Sequence, residues 1–132
     1  MPPLVAFCTA VGFTVAFLTV VVITGLRGRI TVHIPCVIAT FLSLATTIYF
    51  AIKLGTVYDL STAGVITPIH RTIAILATVS YVLPVITGIR TLMSSVHRRA
   101  HFWSAMIVLT LTAAASITGT LMLLWSDKFP VE

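Results

Sequence analysis

Four histidines are the residues of this chain whose type and spacing could do chemistry. Two of them, His97 and His101, stand one helical turn apart in "SSVHRRAHFWSA" (94–105), with Arg98 and Arg99 between them; His33 and His70 open two other apolar runs. Imidazole is a common ligand of transition metals and of haem iron. The question is therefore whether these side chains hold a metal or only mark the ends of apolar segments. Other site chemistries are poorly represented: the sequence contains no CxxC, HExxH, GxxxxGK[ST] or GxSxG, and its three acids, Asp59, Asp127 and Glu132, lie in loops or near the C-terminus. No catalytic residues are expected, and the chain is read as a non-enzyme.

The elements that position the histidines follow from composition. Of 132 residues, 58% are hydrophobic and only 8% charged, and the mean hydropathy is +1.13. Such a chain belongs in a bilayer. A helix needs roughly 20 apolar residues to cross the ~30 Å hydrocarbon core. Four runs qualify, giving expected helices at about 4–26, 30–54, 66–92 and 97–125 within a single membrane domain, 1–132. The first run has no basic residue ahead of it and exceeds a typical signal core, so it is kept as a helix. The connections are short and rich in turn formers. "LRGR" places Gly28 at a helix end, "GTVYDLSTAG" carries Gly, Asp, Ser and Thr, and "TLMSSVHRR" offers Ser94 or Ser95 as a cap. Short connections imply an all-α, antiparallel up-and-down four-helix bundle.

Arg27, Arg29, Arg90, Arg98 and Arg99 fall on one side of that arrangement; Lys53, Arg71 and Lys128 share the other side with all three acids. The positive-inside rule then puts the arginine-rich side in the cytoplasm and both termini outside. Lipid headgroups account for the net charge of +5 without any nucleic acid. Cys8 and Cys36 sit in different helices near opposite faces, too far apart for a disulfide, and read as core residues.

An internal repeat sharpens the case for the histidines. "VITGLRGRITVH" (22–33) and "VITGIRTLMSSVH" (85–97) share Val-Ile-Thr-Gly-apolar-Arg followed by Val-His. The chain therefore reads as two tandem helical hairpins. Same-orientation repeats are related by a pseudo-two-fold axis along the membrane normal, which would set His33 opposite His97 across the bundle. Haem iron takes one imidazole on each face. His33 is thus expected to be a haem-iron ligand, with either His97 or His101 as its counterpart and Arg29, Arg98 and Arg99 pairing with propionates. A chlorophyll is an alternative pigment. The competing reading is that all of these are interfacial anchors, where histidine meets water at little cost.

His70 opens the third helix from the other side, roughly 25 Å from His33 by helix rise. With Arg71, Tyr58 and Asp59 it could line a quinone headgroup pocket or bind a second haem; alternatively it is an interface histidine beside an anchoring arginine. Its face continues through Ala74, Ala77, Tyr81, Val85 and Gly88, a packing seam, and Pro84 should kink that helix. On the fourth helix, Ala115 with Gly119 and Ser116 with Thr120 form two small-residue ridges, one for internal packing and one for a partner. Thr40, Ser43, Thr46 and Thr47 can bond their own backbone. Trp103 and Trp125 read as interfacial belts.

Gly28-Arg29 with His33 at the start of the second helix, His70 opening the third, Pro84 in its middle, and "HRRAHFW" leading into a fourth helix with "SITGTLMLL" near its end make a pattern. It resembles the small four-helix membrane proteins of the CtaM type, over about residues 25–124. That family is associated with maturation of haem-copper oxidases in bacteria. The resemblance implies a bacterial cytoplasmic membrane and supports His33, His70 and His97 as family histidines, leaving His101 peculiar to this chain. The family's further histidine near the end of the second helix is replaced here by "YFAIKLG" (49–55), which leaves no such partner on the His70 side. Two functions are compatible with these residues: a haem b protein in electron transfer or oxidase assembly, and a cofactor-free accessory subunit of a respiratory or photosynthetic complex.

Overall fold

The computed structural model describes residues 2–128 and is all-α. The chain forms two compact units, residues 1–58 and 59–132. Four segments, Pro3–Leu26, Ile30–Leu54, Ile66–Met93 and Ser95–Trp125, are long and apolar enough to span a bilayer. The chain is an integral membrane protein of two tandem helical hairpins, with helix bounds that follow the apolar runs closely.

The first unit pairs α1 (Pro3–Leu26) with α2 (Ile30–Leu54). Pro3 stands in the first turn of α1, where the missing N–H costs no helical bond. The turn that follows rests on Gly28, whose φ of 65° is a left-handed conformation open to glycine and strained for most residues. Polar pairs join the two helices at mid-depth. The hydroxyl of buried Thr14 meets Ser43 at 2.8 Å and Thr47 at 3.0 Å, while Ser43 also reaches the Ala10 carbonyl at 3.3 Å. Thr40, Thr46 and Thr47 bond the preceding turn of α2, as their type suggests; Ser43 instead reaches across to α1. Both cysteines are free thiols, and Cys8 is exposed rather than part of the core.

The second unit begins with a polar turn and continues as α3 (Ile66–Ser80), α4 (Val82–Met93) and α5 (Arg98–Trp125). At the expected kink the helix is interrupted at one residue: Tyr81, itself in a helical conformation, separates α3 from α4, and its N–H bonds Thr78 three residues back. Pro84, lacking an N–H, cannot satisfy the Ser80 carbonyl. Ala77 and Tyr81 are buried as expected, but Val85 is exposed, and the face continues through Pro84, Thr87, Gly88 and Thr91. Neither Ser94 nor Ser95 caps a helix through its side chain. Residues Ser95–His97 form a 3-10 turn and α5 starts at Arg98. Trp103 and Trp125 are exposed near the two ends of α5.

Candidate functional site

Each of His33, His70 and His101 lies against the glycine of an Ile-Thr-Gly triplet on the neighbouring helix of its own unit. On α2, the His33 ring faces Thr24 and Gly25 of α1. Its Nδ1 is 3.0 Å from the Val21 carbonyl oxygen and 3.3 Å from Thr24 Oγ1. A methyl group built on Gly25 would stand 3.1 Å from His33 Cε1. On α5, the His101 ring meets Thr87 Oγ1 at 3.3 Å, and a methyl on Gly88 would stand 3.2 Å from its Cε1. On α3, His70 Nδ1 meets Thr118 Oγ1 at 3.1 Å, and the corresponding distance at Gly119 is only 2.8 Å. In all three, the Nδ1–Cε1 edge enters the notch that the missing side chain leaves, and Nε2 is the ring nitrogen farther from the glycine.

The hydrogen bonds fix chemistry as well as position. A carbonyl oxygen only accepts, so the His33–Val21 contact puts the proton of a neutral ring on Nδ1 and the lone pair on Nε2. The Thr118 hydroxyl has one proton, which Ala114 takes at 2.8 Å with Ala115 at 3.2 Å, so the hydroxyl accepts from His70 Nδ1. Around His101, Thr87 bonds the Leu83 carbonyl and Ser104, and Ser104 is buried.

The other candidate residues are placed differently. His97 is half-buried at the end of the 3-10 turn, and none of the threonine bonds or glycine contacts among the described residues involves its ring. Arg29 directly precedes α2, Arg98 and Arg99 form the first turn of α5, and Arg71 follows His70; all four are exposed. The Asp59 carboxylate accepts from the Ser61 hydroxyl at 2.6 Å and the Ser61 N–H at 3.0 Å, and so serves the turn before α3.

Sequence reading found the histidines and missed the triplets that hold them. The signal was present. His70 precedes Gly88 by eighteen residues, and His101 precedes Gly119 by the same interval. In an antiparallel pair, equal intervals bring each histidine to the other helix's glycine. Matching by Val-His favours His97 as the counterpart of His33, but the 3-10 turn lengthens the second connection and moves the equivalent environment to His101. Gly119, read from sequence as part of a packing ridge, receives a histidine ring.

Comparison with known proteins adds no assignment: no family model, no curated protein and no solved structure matches this chain.

Proposed function

We propose that the chain is a small integral membrane haem-binding protein of b-type cytochrome character, acting in electron transfer or respiratory oxidase assembly in a bacterial cytoplasmic membrane. The His33 cradle carries this reading. Metal-bound histidines generally donate their second ring N–H to a carbonyl or similar acceptor, which fixes the ring and leaves Nε2 as ligand atom; His33 makes that bond to Val21. The donor chemistry therefore fits an imidazole-ligated iron. On α5 the same environment selects His101 over His97, although the family resemblance favours His97. Exposed Arg29, Arg98 and Arg99 are the cations for propionates.

Haem bound there supplies reversible one-electron chemistry. The chain's own contribution is to hold the rings in one tautomer, to keep water away with apolar helix surface and to set ligand basicity through the Nδ1 acceptors. A cofactor-free accessory subunit of a larger respiratory or photosynthetic complex is the second reading. It is favoured by the exposure of Ser116 and Thr120 on α5, which leaves one small-residue ridge for a partner subunit. The visible spectrum of protein purified in mild detergent from haem-replete cells separates the two. A Soret band with the sharp reduced bands of low-spin iron is expected; a colourless protein would favour the accessory subunit.

A further inference from the structure

We draw no further inference here: the strongest candidate, the apolar groove between α1 and α2 bounded by Phe13, Phe17, Ala39 and Leu42, is an unpartnered helix face, and nothing in the structure shows what covers it.

Discussion

At the scale of single residues, the cradle depends on glycine for space and on threonine for a polar partner. Adding a methyl group at Gly119 would bring carbon within 2.8 Å of the His70 ring, at Gly25 within 3.1 Å of His33 and at Gly88 within 3.2 Å of His101. Overpacking of this kind typically costs about 1–3 kcal/mol. Unfolding in mixed micelles should therefore rank Gly119→Ala as the most destabilising of the three, with Gly25→Ala and Gly88→Ala milder. Gly12 provides the control. It has nothing within 4 Å of the added methyl, so Gly12→Ala should be neutral or stabilising by up to about 1 kcal/mol through helix propensity. Equal loss at all four positions would mean that the notches are unimportant. These residues were only partly legible in the sequence. The repeat "VITG" was visible, but which histidine it serves depends on where a connection adds a 3-10 turn, and residue spacing along one strand of text does not report that.

Elements were more legible than their interiors. Apolar run length determines a membrane span because an unpaired backbone in hydrocarbon is costly, and so the four spans could be read directly. The phase of a helix face is less secure. Pro84 marked the third span for a bend, yet only the structure shows that Val85 faces outward while Thr87 joins Gly88 against His101 of α5. Buried Tyr81 bonds Thr112 at 3.0 Å across that unit. Bonds of this kind in membranes average about 0.6 kcal/mol and reach about 1.7, so Tyr81→Phe should destabilise the second unit within that range by micellar unfolding. A neutral substitution would show that the contact contributes nothing. The turn before α3 carries a pH dependence. Bonds from the Ser61 hydroxyl and N–H hold the exposed Asp59 carboxyl below the ordinary carboxylate range. A depressed folded-state value contributes stability above the unfolded pKa, and that contribution is lost as pH falls through the folded one. Ser61→Ala should move the Asp59 titration upward when followed by NMR; an unmoved titration would contradict the bond.

For the whole molecule, the arginines of the first and third connections, Arg27, Arg29, Arg98 and Arg99 with Arg90 nearby, predict that those connections face the cytoplasm. A cysteine introduced at position 28 of a Cys8, Cys36-free chain should be labelled only from the inside, and labelling from outside would reverse the orientation. Membership of a larger complex is readable in the same way. If a partner packs on Ser116 and Thr120, Ser116→Leu should leave the protein folded yet remove co-purifying subunits, whereas a wild type migrating alone in native electrophoresis would dismiss the docked-subunit reading. Composition made the membrane class legible at this scale. The identity of a ligand was not, because the same imidazole serves an anchor, a packing lock and an axial ligand. The most direct test of the central claim is the low-spin haem spectrum across single histidine variants of the full chain. The cradled rings predict that His33→Ala and His101→Ala each abolish the low-spin bands and that His97→Ala retains them. Loss of the bands in His97→Ala with full retention in His101→Ala would contradict the account.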